Sequence, residues 1–166
     1  DKKVREGIMK LYHGSNTIVK KPEILTSNRF LDFGNGFYTT ANEEQARKFA
    51  VKVAGTRGGK AILNIYELDE NNLSDLDVKH FKEVSDDWLR FVAANRSGNY
   101  NGDKHDLVIG AVANDDVFRT VQLFLAGLYD VEQTLKMLKI KDLYDQYVFT
   151  TDKAVRRLKY VSSEEV

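Results

Sequence analysis

A chain of 166 residues, 42% of them hydrophobic, has the size of one domain and can bury roughly 70% of its unfolded surface in a single core. Its 25 basic and 25 acidic residues cancel, so no overall field draws in nucleic acid, an anionic membrane or an acidic substrate from a distance, while small-ligand binding stays open. Cysteine is absent, which excludes disulfides, thiolate zinc sites and a cysteine nucleophile and fits a reducing, cytoplasmic compartment.

Residues 1–8 are polar and lack the apolar region of a signal peptide, and Met9 stands just ahead of the first strand-like run. They read as a flexible N-terminal extension or upstream remnant, with 9–166 as one domain. Lys10-Leu11-Tyr12-His13 is a strand candidate broken by the turn formers Gly14-Ser15-Asn16, which puts His13 at a strand end. After Pro22, residues 28–42 hold two glycines and no sustained period, so they read as a loop ending in Gly36-Phe37-Tyr38-Thr39-Thr40. That loop leads into a helix. Asn42 with Gln45 three residues later resembles a capping box, and Ala46, Phe49, Ala50, Val53 and Ala54 recur at the spacing of one helical face.

Residues 61–68 are β-rich, and Phe81, Val84, Trp88, Phe91 and Val92 mark an amphipathic helix that stops near Gly98. A polar loop over 97–104 precedes a buried-strand candidate at 106–112. Asn114 or Asp115 can cap a helix that uses Val117, Val121, Phe124, Leu125 and Leu128, and another helix follows over 131–140. Gln146-Tyr147-Val148-Phe149-Thr150 alternates as a strand does, Thr151 or Asp152 can cap a short helix, and Lys159-Tyr160-Val161 makes a last strand. The densest apolar stretch, 121–129, is far short of the ~20 residues that cross a bilayer. Strands and helices mix without the regular alternation of a parallel βαβ sheet, which predicts an α+β fold with a mainly antiparallel sheet and flanking helices.

Three segments stand out, in the order Tyr12-His13-Gly14-Ser15, Phe33-Gly34-Asn35-Gly36-Phe37-Tyr38-Thr39-Thr40 and Gln146-Tyr147-Val148-Phe149. They resemble the His-Gly, Gly-x-Gly-x-Tyr and late-strand motifs of the diphtheria-toxin-like and poly(ADP-ribose)-polymerase-like ADP-ribosyltransferases, as a His-Tyr-Gln variant of the His-Tyr-Glu class. The wider pattern adds Asn28-Arg29, Asp32-Phe33-Gly34, and Asp106-Leu107-Val108-Ile109-Gly110 with Asn114-Asp115. It is similar to a bacterial domain family placed in that superfamily, over about 11–161.

The resemblance implies the ADP-ribosyltransferase fold, with a split, mainly antiparallel sheet, and NAD as substrate with no metal. It assigns the catalytic set to His13, Tyr38 and Gln146. It assigns NAD binding to His13, Gly14, Ser15, Arg29, Asp32, Gly34, Gly36, Tyr38 and Phe49. In such a site His13 bonds the adenine-side ribose, and a flat carboxamide approaches the Gly14 main chain where no Cβ intervenes. Tyr38 and Phe49 hold the electron-poor pyridinium by stacking and cation–π attraction. Gln146 can bond a ribose hydroxyl but brings no charge to an oxocarbenium and cannot act as a general base, which argues against chain elongation. The implied activity is a toxin-like mono-ADP-ribosyltransferase with a protein or nucleic-acid acceptor and a cognate antitoxin. The alternatives are an NAD glycohydrolase and a non-catalytic NAD- or ADP-ribose-binding module.

Each residue also has a plainer reading. A histidine at a strand end is often a turn residue, Tyr38 can be a core aromatic beside Phe37, and Phe49 lies on an apolar helix face where core packing is the default. Gln146 can satisfy a neighbouring backbone group. Arg29 and Asp32 stand between loop stabilisation and contact with pyrophosphate or adenosine, and Gly34 with Gly36 can serve to turn the backbone beneath a ligand. Lys153, Arg156, Arg157 and Lys159 read as a solvated helix face.

Overall fold

Seven strands pair across long stretches of sequence. In the computed structural model, which describes residues 6–24, 26, 31–111, 113, 115–139 and 143–166, they are β1 (Ile8–Ser15), β2 (Phe37–Thr40), β3 (Ile62–Asp69), β4 (Val78–His80), β5 (Leu107–Ala111), β6 (Asp145–Phe149) and β7 (Leu158–Glu165). Among the described residues they form one sheet in the order β4-β5-β6-β2-β1-β3-β7. The β4–β5 pair is parallel, and the other neighbours are antiparallel. The flanking helices are α1 (Glu43–Arg57), α2 (Asp86–Arg96), α3 (Asp115–Leu125), α4 (Val131–Leu138) and α5 (Asp152–Val155). The fold is therefore α+β with a mainly antiparallel sheet.

Local chemistry sets the helix starts. Asn42 caps α1 by accepting from the Gln45 N–H at 2.8 Å. The Gln45 side chain does not close a capping box, because its Oε1 accepts from the Thr40 hydroxyl instead, and that hydroxyl also takes the Asn42 N–H. Thr151 caps α5 through the Ala154 N–H. A full capping box, Asp130 with Gln133, opens α4.

The structure corrects several boundaries. Residues 37–40 are a strand rather than the end of a loop. They lack visible alternation because both faces are covered, with Phe37, Thr39 and Thr40 buried and Tyr38 half-buried. The helix expected from Phe81 begins at Asp86, where Ser85 caps it. Phe81 instead continues from β4, its N–H donating to the Ile109 carbonyl. Strand β4 has three residues at the sheet edge, too few to show a period. The last strand extends well past Val161 because β3 supplies ladder partners as far as Glu165. Asn114, Val112 and Ile140 lie outside the described residues. The basic run lies at the surface, as expected of a solvated face, and two of its cations are also paired there. Arg157 holds the Asp75 carboxylate at 2.9 and 2.6 Å, and Lys153 donates to the Asp75 carbonyl at 2.8 Å.

Strand alternation divides the core between two faces. Leu11, Phe37, Tyr66, Leu68, Leu107, Ile109 and Phe149 pack on one. Val108, Val148 and Tyr38 pack on the other, against Phe33, Phe81 and the inward side chains of α2 and α3. Helix α1 covers the β1 end of this second face through buried Ala46, Ala50 and Val53. It sits so close that a Cβ on Gly14 would stand 2.2 Å from the Ala46 carbonyl oxygen and 2.7 Å from the Ala50 nitrogen. Among the described residues no helix is long and apolar enough to cross a membrane.

Candidate functional site

The order His, Tyr, Gln along the chain becomes adjacency in the sheet, since their strands lie side by side as β6-β2-β1. Strand β2 pairs with β6 along its whole length, from Phe37 against Phe149 to Thr40 against Gln146. Between β1 and β2 the described residues share a single register pair, Tyr12 with Thr40. The sheet is thus lightly sewn at this seam, and past Tyr12 a side chain takes over, His13 Nδ1 lying 2.7 Å from the Tyr38 carbonyl oxygen.

A carbonyl only accepts, so this bond places the ring proton on Nδ1 and leaves Nε2 as an acceptor. The ring lies 4.3 Å from that of Phe37. Burial holds the His13 pKa below the ordinary histidine range, with the Tyr38 bond opposing it more weakly. A lowered folded pKa means that the unfolded chain takes up the proton first as pH falls. The His13 contribution to stability is therefore complete above about pH 6.5 and is lost as pH falls below that value towards the folded pKa. Melting temperatures from pH 8 to pH 5 are expected to fall more steeply for the natural protein than for His13→Gln. Parallel curves would show that the ring is not desolvated.

Tyr38 anchors the turn that precedes it. Its hydroxyl donates to the Gly34 carbonyl at 2.6 Å and accepts the Phe33 N–H at 3.1 Å, and burial pushes its pKa well above the ordinary tyrosine range. Gly34 has φ +81°, a left-handed conformation in which a side chain is strained. Gly36 is needed for a different reason: a Cβ there would stand 2.7 Å from Val148 Cγ1 and 2.8 Å from the Phe149 carbonyl oxygen. Gly34 thus lets the chain turn, and Gly36 fits it onto strand β6.

Asp32 begins this turn and is 4% exposed. Its Oδ1 accepts from Arg96 Nε at 2.5 Å, and its Oδ2 accepts from the Ala113 N–H at 3.0 Å and from Gln146 Nε2 at 3.3 Å. Of the two roles open to Asp32, the carboxylate is engaged in the internal one, tying the turn to α2, to the approach to α3 and to β6. Arg96 also stacks on Phe118, with Cζ 4.1 Å from the ring centroid. Sequence reasoning missed Arg96. The only local signal is an arginine in the last turn of α2, where a cation at a helix C-terminus is ordinary.

Tyr38 and Gln146 therefore meet at one turn on the face covered by α2 and α3. The His13 ring is not on that face. Alternation puts it beside Phe37 on the opposite one, and it reaches β2 within the seam. Ser15 sits at the end of β1, its hydroxyl accepting the Thr17 N–H at 3.3 Å. Phe49 is 52% exposed and outside both core clusters. At 3.6 residues per turn it shares the flank of Gln45, which bonds Thr40 on β2, and not that of Arg47, which pairs with Glu164 on β7. Phe49 is thus an exposed aromatic over the β2 side of α1. Arg29 lies outside the described residues. A surface depression of about 370 Å³, lined by Ala41, Asn42, Leu143, Tyr144 and Asp145, opens one residue beyond the Thr40–Gln146 pair. Among the described residues no three His, Asp or Glu side chains are grouped to hold a metal.

These features define an α+β protein whose central strands, loosely paired at the β1–β2 seam, carry a partly buried histidine, a tyrosine and a clamped glutamine on neighbouring strands. A family model described as "protein of unknown function (DUF3990)" matches residues 9–160, and the chain belongs to that family. Among curated proteins and solved structures, nothing matches the chain.

Proposed function

We propose that the chain is an NAD-dependent mono-ADP-ribosyltransferase built on the ADP-ribosyltransferase fold. The observation that carries this reading is the β6-β2-β1 adjacency, which gathers three motifs from distant parts of the sequence at a seam with one register pair. In the reaction the bond between nicotinamide and ribose breaks and nicotinamide leaves with the bonding pair. An acceptor nucleophile then bonds the anomeric carbon and loses its proton to solvent. The side chains fit the substrate's chemistry: His13 Nε2 accepts a ribose hydroxyl, the Gln146 amide oxygen accepts another, and Phe49 offers a ring for stacking. A protein or nucleic acid is the acceptor. The toxin-like role, the cognate antitoxin and the cytoplasmic location belong to the same proposal.

A second reading, an NAD-binding module without turnover, is favoured by one observation. Residue 146 is a neutral amide, and the carboxylate next to it is already paired with Arg96. Incubation with adenylate-labelled NAD in cell lysate separates the readings. Transfer predicts free nicotinamide and a labelled macromolecule, hydrolysis predicts nicotinamide without label, and a binding module predicts calorimetric binding without either. No binding and no release would overturn all three. His13→Ala is expected to weaken NAD binding by about 1–2 kcal/mol, seen by calorimetry, through loss of one ribose hydrogen bond.

A further inference from the structure

We infer that Asp32 is a positioning residue. Its carboxylate, held by Arg96, turns the Gln146 amide so that Oε1 is the end offered to a ligand, and it suits position 146 to an amide and not to a carboxylate. The ligand half of this statement rests on the NAD reading; the clamp does not.

An ionised carboxylate only accepts, so the contact between Asp32 Oδ2 and residue 146 at 3.3 Å has to be made by the NH2 end of the glutamine. The amide is planar, so fixing Nε2 on Asp32 turns Oε1 away from it. The clamp is held from three sides. Arg96 takes Oδ1, the Tyr38 hydroxyl clips Phe33 and Gly34, and Phe33 lies over Gly110, the residue opposite Gln146 on β5. A Cβ on Gly110 would stand 3.2 Å from the Phe33 ring, so glycine there lets Phe33 seat and brings Asp32 beside Gln146. Among the described residues, the charged and titratable groups joined in this neighbourhood are Asp32 of the turn, Arg96 of α2 and Tyr38 of β2. The Arg96 cation is already matched by Asp32. A glutamate at 146 would bring a second carboxylate to the buried Asp32, whose partner among the described cations, Arg96, is already matched.

The test compares Gln146→Glu, Gln146→Ala, Asp32→Asn and the double variant Asp32→Asn with Gln146→Glu, by melting temperature from pH 8 to pH 5. Gln146→Glu is expected to melt below Gln146→Ala at pH 8. It should recover against Gln146→Ala as pH falls, because a protonated carboxyl can donate to Asp32 as the amide does. The double variant should melt higher than the sum of its single changes allows, since it restores a donor–acceptor pair. Burial alone would give Gln146→Glu an acid recovery but no coupling to Asp32, so the coupling is the deciding signature and its absence would overturn the proposal. A measurement on the unaltered protein guards against variants that do not fold. The Gln146 side-chain amide protons should exchange slowly with solvent by nuclear magnetic resonance, and fast exchange would also overturn the clamp. In protein that releases nicotinamide, Asp32→Asn should lower the rate at saturating NAD by roughly 10²-fold, with KM changed less. If the clamp signatures hold while NAD is not bound, the functional reading fails and the clamp stands.

Discussion

Arg96→Met is expected to destabilise the protein by about 3–5 kcal/mol, the cost of removing one partner from a buried ion pair. The reason lies with Asp32, which at 4% exposure cannot turn to water. Without the guanidinium, two neutral donors, the Ala113 N–H and Gln146 Nε2, would face a full negative charge. Methionine keeps the unbranched stem and can still lie on Phe118, so packing is largely retained and the difference reports mainly the charge. Urea unfolding with an unchanged slope measures it. A loss below about 1 kcal/mol would match a solvent-exposed pair and would mean that water reaches Asp32 in solution.

How much of this was legible in the sequence depends on how local each cause is. The start of α1 at Asn42 and that of α5 at Thr151 rest on side chains within three residues of the cap, and the composition shows them directly. Strand β3 is bounded by turn formers, and its type could be read from them. Strand β2 could not, because burial on both faces erases the alternation that marks a half-buried strand. The seam was out of reach for a different reason, since a missing ladder pair is a relation between two strands and leaves no trace in either.

The candidate site divides along the same line. His13, Tyr38 and Gln146 were readable as types in order, and the sheet makes their strands neighbours. Their facing was not, because it depends on register, and one residue of alternation moves the His13 ring to the face opposite Tyr38 and Gln146. The partner of Asp32 was least legible of all. Arg96 stands 64 residues away, and no periodicity links an arginine at a helix end to a buried aspartate in a turn.

Gly14→Ala tests which of two causes keeps a glycine beside His13. Read as part of a binding motif, the glycine lets a carboxamide approach the main chain. In the fold its missing Cβ also admits helix α1. Alanine would put a carbon 2.2 Å from the Ala46 carbonyl oxygen and 2.7 Å from the Ala50 nitrogen, and both are backbone atoms of a regular helix that no rotamer change can move aside. Relief requires shifting α1 bodily off the sheet, loosening the buried contacts of Ala46, Ala50 and Val53. The expected loss is about 1–3 kcal/mol, towards the upper end because the obstruction is backbone, measured as a lowered urea midpoint without ligand. On the proposed NAD reading, binding should weaken as well, because the displaced helix carries Phe49. The order of the effects decides between the causes. An unchanged midpoint with lost NAD binding would make the glycine a ligand requirement, whereas a lowered midpoint in the absence of NAD makes it first a requirement of packing α1 on β1.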